Sequence, residues 1–286
     1  MAVRDILLVV SLCLLVVVPA SAVAASYDAT FALTMVHYSA AAYCPATTLQ
    51  SWTCPCSLTP GFNVTRVAEV SSKNLQGFVG YDKTSNAIVV GFRGTQATSL
   101  KNWITNLDGF HSTTTYPHCA SCAAEAGFYS AHEALKPLIV PEVHFLKRQH
   151  PNAKVYITGH SLGAALAVLS AAHLQSQEGV NVDEVYVFGL PRVGNVEFSK
   201  WFNGIIPQAV HVVHYHDIVP HLPPEDFGYH HVPTEVWYDE ETGPQYKICD
   251  GKGEDPTCSD SVHFYDYSVS DHLYYLGYHI TQCDSS

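Results

Sequence analysis

Val155-Tyr156-Ile157-Thr158-Gly159-His160-Ser161-Leu162-Gly163-Ala164-Ala165-Leu166 is the stretch whose reading decides the fold. Val155 to Thr158 is a short β-rich run and reads as a strand. Leu162 to Gln177 is rich in Ala and Leu and stops before Gly179, so it reads as a helix. Between them stands Gly159-His160-Ser161-Leu162-Gly163, a G-x-S-x-G pattern. By itself the pattern is weak, since average residue usage gives it by chance in about one chain in ten of this length. Its place between a strand and a helix carries the weight, because that is the arrangement of a nucleophile elbow. The turn is so tight that side chains at the two glycines would strike the neighbouring strand and helix. Ser161 is then thrust out at the carboxyl end of the sheet. Free N–H groups of the following helix face the same point and favour a developing negative charge. The alternative is an ordinary Gly-rich turn with a buried serine.

The flanking sequence extends the same architecture. Phe78 to Tyr81 and Ile88 to Phe92 are apolar runs separated by Asp82-Lys83-Thr84-Ser85-Asn86, which predicts a hairpin. Val185 to Phe188 and Ala209 to Tyr215 read as further strands. Gly127 to Gln149 has helical spacing, but Pro137 and Pro141 predict a kink or a break. Strands alternating with helices imply an α/β fold with a mostly parallel sheet covered on both faces. The Tyr- and Pro-rich stretch from Pro220 onward predicts loops. No repeat or low-complexity linker divides residues 25–286, which are expected to form one domain.

A serine hydroxyl is a poor nucleophile without a base, and on such a fold the order is Ser, then Asp or Glu, then His. Asp217 is the candidate acid, since it follows the strand Ala209 to Tyr215 at its carboxyl end, where parallel sheets build their sites. The chain has 17 His, so histidine alone signals nothing. Among His263, His272 and His279, His272 begins a helix-like apolar run and sits on a loop-to-helix edge. The other two read as packed or solvated residues. His211, His214, His216, His221, His230 and His231 raise a metal reading, with His214 and His216 on one face of the proposed strand. No helical H-x-x-x-H or carboxylate pattern completes a site, so neither metal nor cofactor is expected.

Composition sets the outer bounds. Of 286 residues, 47% are hydrophobic and 14% charged, which is enough apolar surface for a large core and excludes disorder. Lys+Arg is 14 against Asp+Glu 26, a net charge of -12 with no basic tract. Nucleic acid is therefore a poor partner, and an anionic lipid surface would repel the chain on average. After Arg4, Ile6 to Val18 is apolar except for Ser11 and Cys13. Pro19 ends the run, and Ala20-Ser21-Ala22 or Ala22-Val23-Ala24 offers a small-x-small cleavage pattern. Residues 1–24 therefore read as a signal peptide, and the mature chain is expected to be secreted and extracellular. The run is shorter than the ~20 residues of a spanning helix, and no transmembrane segment is expected later. Of 9 cysteines, Cys13 leaves with the signal. The eight others imply four disulfides in an oxidising compartment, with the pairing open. Zinc held by Cys54-x-Cys56 and Cys119-x-x-Cys122 is the rival reading. Asn63-Val64-Thr65 is an N-glycosylation sequon, expected on a surface loop.

From about Tyr43 to Cys283 the chain resembles the secreted class 3, or fungal-type, triacylglycerol lipases and the related feruloyl esterases. The shared motifs are Phe92-Arg93-Gly94-Thr95, Asn102-Trp103-Ile104, the Gly159 to Leu166 stretch, Gly189-Leu190-Pro191-Arg192-Val193-Gly194-Asn195, Asp217-Ile218-Val219-Pro220-His221-Leu222-Pro223-Pro224 and Asp271-His272-Leu273-x-Tyr275. The resemblance implies an α/β-hydrolase-like fold with Ser161 as nucleophile, Asp217 as orienting acid and His272 as base. It implies an oxyanion hole from Thr95 and the backbone N–H of Leu162. It also implies disulfides Cys44–Cys283, Cys119–Cys122 and Cys249–Cys258, leaving Cys54 with Cys56. Glycerides at an oil–water interface are the implied substrate, against soluble or wall-bound esters, phospholipids or a non-catalytic lipid-binding role. Leu100, Trp103, Ile104 and Leu107 stand at i, i+3, i+4 and i+7, one face of a short helix. Periodicity alone suits a helix packed permanently on the core. Its position just after Thr95 and its Asn-Trp-Ile motif look like a lid.

Overall fold

A computed structural model of the chain describes residues 27–53, 59–109 and 112–283. The signal peptide expected over residues 1–24, and Cys54 and Cys56, lie outside the described residues. Helix α1 (Ala29–Ala41) is started by Asp28, whose side chain accepts the N–H groups of Thr30 and Phe31. A short α2 (Ala46–Ser51) leads to the hairpins β1 (Phe62–Val70), β2 (Leu75–Asp82) and β3 (Ala87–Phe92). Then come α3 (Ala97–Gly109), β4 (Thr113–Thr115), β5 (Ala123–Glu125) and α4 (Ala126–Gln149). The central unit is β6 (Lys154–His160), α5 (Leu162–Ser176) and β7 (Glu184–Phe188). After it come β8 (Gly194–Asn195), α6 (Val196–Ile205), β9 (Ala209–His214), β10 (Tyr229–His230), β11 (Glu235–Tyr238) and β12 (Lys247–Ile248). A small hairpin, β13 (Tyr274–Tyr275) and β14 (Tyr278–His279), lies near the C-terminus.

Among the described residues the main sheet runs β1-β2-β3-β6-β7-β9-β11-β12. β3, β6, β7, β9 and β11 are parallel, and antiparallel strands close both edges. This is the α/β-hydrolase-like, mostly parallel sheet expected from the sequence. The pleat sends alternate side chains to opposite faces. Val155, Ile157, Val185 and Val187 pack with α4 and α5, whereas Tyr156, Tyr186, Phe188 and Val212 pack with α1. Both faces are thus covered, as a parallel sheet requires. α5 is apolar nearly all round, because it is sandwiched between the sheet and α4.

Local expectations differ from the structure in four places. The helix containing Pro137 and Pro141 is one continuous element of 24 residues, not a broken one. The two prolines are four residues apart and both exposed, so the carbonyls they leave unpaired face water. The sequon residue Asn63 lies on the edge strand β1 opposite Tyr81, not on a loop; its side chain is still exposed, and Thr65 bonds across to the Val79 carbonyl at 3.2 Å. The helix-like run after Ser270 is a 3-10 turn, Asp271–Leu273, that passes into β13. His214 and His216 share no strand face, since Tyr215 has φ 43° and turns the chain between them.

Disulfides join Cys44 to Cys283, Cys119 to Cys122 and Cys249 to Cys258. The first spans 239 residues and fastens the end of α1 to the end of the chain. In the chain-entropy account a loop of that size contributes up to about 5 kcal/mol. The double variant Cys44→Ser, Cys283→Ser should therefore melt roughly 10 °C lower in calorimetry. An unchanged melting temperature would show that the bridge does not constrain the unfolded chain.

Candidate active site

Ser161 is the hinge between β6 and α5. It has φ 60° and ψ -130°, a backbone region that a residue with a side chain occupies only when its surroundings enforce it. Its N–H donates to the Phe188 carbonyl at 3.0 Å, and its own carbonyl accepts from Ala164 and Ala165. The two motif glycines have no room for a side chain. A Cβ on Gly159 would run into the backbone of Gly163, and one on Gly163 into the carbonyl of Phe92. The elbow is thus pressed between its own helix and the chain leaving β3. Leu162 opens α5, so its N–H has no carbonyl within the helix to bond.

Asp217 lies beyond the carboxyl end of β9 and is fully buried. Its loop is locked to the last segment of the chain, where Ser268 donates to the His216 carbonyl and accepts from the Ile218 N–H. The carboxylate is saturated with donors. Oδ1 takes the Val219 N–H at 2.8 Å, and Oδ2 takes His272 Nδ1 at 2.7 Å together with the Tyr275 hydroxyl. Nδ1 of His272 is thereby committed as a donor, which leaves Nε2 as the nitrogen free to accept a proton. Gly189, at the end of β7 with φ 55°, is the floor beneath the pair. A Cβ there would come within 2.7 Å of His272 Cε1 and 2.9 Å of Asp217 Oδ2.

Ser161 Oγ, His272 Nε2 and Thr95 Oγ1 are all buried without a hydrogen-bond partner. Such groups are costly to leave unpaired, and they are the atoms an ester carbonyl and its tetrahedral adduct would engage. Ser161 and His272 have no exposed surface, so the arrangement is closed to water. Helix α3 carries the apolar stripe predicted from the sequence. Leu100, Ile104 and Leu107 are buried, and the half-buried Trp103 stacks on Phe128 of α4. Trp103, Leu107, Phe128 and Leu162 line one cavity of about 390 Å³, which places α3 against the neighbour of the nucleophile. A larger cavity of about 640 Å³ lies on the α1 side, bounded by Leu33, His214, Tyr238 and Asp271, and does not include Ser161.

The structure brings Ser161, Asp217, His272, Thr95 and Leu162 to one end of the sheet. It leaves His263 outside, exposed and stacked on Tyr265, and His279 on the terminal hairpin. The histidine-rich stretch is dispersed. His211 stacks on His231, His221 stacks on Tyr267, and His214 lies between the carbonyls of Asp271 and Glu241. Glu225, His230 and Glu254 approach one another closely enough for a metal, but the Arg192 guanidinium already donates to both oxygens of Glu254 at 2.9 and 2.8 Å. Burial opposes the charge of Arg192, yet its bond to Glu254 holds its pKa above the ordinary value. The same side chain donates to the carbonyls of His221 and Pro223, so it clamps the loop that follows Asp217. Gly189, Arg192 and Tyr275 all stand inside motifs visible in the sequence, but what their positions do for Asp217, His272 and the following loop appears only in the fold.

Comparison with known proteins agrees with this geometry. Residues 89–227 match the family model described as Lipase (class 3). A lipase of Caenorhabditis elegans is 30% identical over 318 residues, covering 92% of this chain and 84% of that one. A secreted mono- and diacylglycerol lipase of Fusarium solani is 36% identical over 180 residues, covering 61% of this chain and 52% of the relative. A solved triacylglycerol lipase, described as having a serine protease triad as its catalytic centre, superposes with a TM-score of 0.81 at 29% identity over 89% of this chain and 96% of that one. The chain belongs to the class 3 lipase family. It spans about half to two thirds of the length of the curated relatives it matches first.

Gly189→Ala tests whether the floor under the acid–base pair matters. The added methyl should displace His272 from Asp217 and lower kcat on a dissolved ester by about a hundredfold. Near-normal kcat in a folded variant would show that the pair tolerates the shift.

Proposed function

We propose that the protein is a secreted serine lipase that hydrolyses the carboxylic esters of glycerides. The observation that carries this is the Asp217–His272 hydrogen bond, which leaves Nε2 of His272 and Oγ of Ser161 buried and unpartnered beside Thr95 and Leu162. In this reading His272 takes the Ser161 proton as the hydroxyl attacks the ester carbonyl. Asp217 holds the tautomer and balances the imidazolium. The negative charge on the tetrahedral intermediate falls at the Leu162 N–H and the Thr95 hydroxyl, each such donor contributing on the order of 3 kcal/mol. His272 returns the proton to the departing alcohol. Water, deprotonated by the same base, then releases the fatty acid from Ser161. The residues involved are all the chain's own.

Secretion is supported by the signal-peptide pattern over residues 1–24 and by the disulfides, which persist in oxidising compartments. Among the described residues no helix is long and apolar enough to cross a membrane. Asn63 is a site for N-glycosylation on the exposed side of β1.

The closed site and the amphipathic α3 support a lid. Turning α3 outward at an oil surface would exchange its contacts with the protein for contacts with lipid. The gain in apolar burial in the open state is what drives such a gate. A net charge of -12 directs the enzyme toward uncharged glyceride surfaces rather than anionic membranes.

Ser161→Ala should keep its fold and lose hydrolysis by about four orders of magnitude or more. Substantial residual turnover of pure variant would remove Ser161 from the mechanism. For the lid, rate measured against glyceride concentration should jump where the glyceride passes its solubility limit. Trp103→Ser should cost roughly tenfold on emulsions and much less on dissolved short-chain esters. Smooth saturation through the solubility limit, with equal losses on both substrates, would replace the gated lipase with an esterase acting on soluble esters.

A further inference from the structure

His160, the residue before the nucleophile, is fully buried, and both of its ring nitrogens are engaged. Nε2 lies 2.8 Å from the main-chain carbonyl of His272. A carbonyl only accepts, so Nε2 carries the hydrogen and donates it. Nδ1 lies 2.7 Å from the hydroxyl of Tyr43. Burial and the neighbouring His272 hold the pKa of His160 well below the ordinary imidazole value, so the ring is neutral and Nδ1 accepts from the Tyr43 O–H. The Tyr43 oxygen lies against the backbone of Gly94. A Cβ on Gly94 would strike that oxygen and the His160 carbonyl, so the chain just before Thr95 lies directly against the elbow. The bonds form one directed chain, Tyr43 O–H to His160 and His160 N–H to the carbonyl of His272, and Gly94 packs against its first oxygen.

Tyr43 is itself held from several sides. Gln76 Nε2 donates at 2.8 Å to the carbonyls of Ala42 and Cys44, the residues on either side of it. Cys44 is bonded to Cys283, and the Gln76 main-chain carbonyl accepts the Arg93 N–H at 2.9 Å. The end of α1 is thereby fixed relative to the segment that carries Gly94 and Thr95.

We propose that Tyr43 and His160 are positioning residues that lock the oxyanion segment at Thr95 and the base-bearing turn at His272 to the nucleophile elbow. Neither touches substrate. The relay rests on the lipase reading above, and it adds a function for a tyrosine 118 positions from Ser161 that no local pattern marks. Its effect is on kcat, because misplacement of reacting groups by a fraction of an ångström is felt in the transition state rather than in substrate binding.

The test is a double-mutant cycle on dissolved p-nitrophenyl butyrate, with Ser161→Ala as a control. Tyr43→Phe deletes one oxygen. His160→Asn keeps an acceptor near the Nδ1 position but removes the donor to His272. Each should lower kcat by about tenfold or more with KM within about twofold of the parent. The double variant should be no worse than the weaker single, because the two groups act in series. Independent of activity, ¹⁵N spectra of the parent should show His160 as the neutral Nε2–H tautomer across pH 5 to 8, and Tyr43→Phe should shift the Nδ1 resonance. Unchanged kcat in both singles, strictly additive losses, or a His160 that titrates in this range would overturn the relay. A parent chain that hydrolyses no ester, or an active Ser161→Ala, would instead overturn the lipase reading and the relay with it.

Discussion

The backbone of Ser161 is the constraint on which the rest depends. A serine at φ 60° and ψ -130° is strained by about 1–3 kcal/mol, and the strain is held by the packing of β6, α5 and the end of β3. No wider turn would leave the hydroxyl clear of the helix while aiming the free N–H of Leu162 at the same point. The two glycines follow from this geometry, as does the short, apolar, β-branched character of the strand that delivers the chain into the turn. Ala164 and Ala165 continue it, since small residues let α5 sit close on the sheet.

The acid and the base arrive from distant sequence and must be fixed by other means. Asp217 has no exposed surface and carries three donors, so a charge that would be costly in the interior is fully solvated by the protein. Tyr275 and Val219 fill the positions that water would otherwise occupy, and Gly189 lets the pair settle onto β7. Arg192 holds the following loop from below through the carbonyls of His221 and Pro223. With water excluded, hydrogen bonds and charges at the site act in a medium of low polarity, where each is worth more. In the proposed lipase reading, the same exclusion is why α3 is assigned the part of a lid.

Much of this is legible in the amino-acid sequence. The elbow is written locally: strand, glycine, serine, glycine and helix occupy adjacent positions, and local pattern suffices to read them. Asp217 could be placed because it follows a strand, and the stripe on α3 because periodicity is a property of one segment. The errors share a cause. Pro137 and Pro141 look like breaks until both are seen to face solvent, which depends on what α4 packs against. The run after Ser270 looks helical, but the bonds of His272 to Asp217 and of its carbonyl to His160 hold it in a tight 3-10 turn. The contact of Tyr43 with His160 joins residues 117 positions apart and leaves no trace in spacing or composition.

Active-site labelling tests the central claim most directly. A long-chain p-nitrophenyl phosphonate should react with one residue per chain, displacing p-nitrophenolate, and peptide mass spectrometry should find the adduct on Ser161. Labelling should proceed in step with loss of ester hydrolysis, and Ser161→Ala should take up no label. An adduct on any other residue, or hydrolysis that persists after complete labelling of Ser161, would contradict the account.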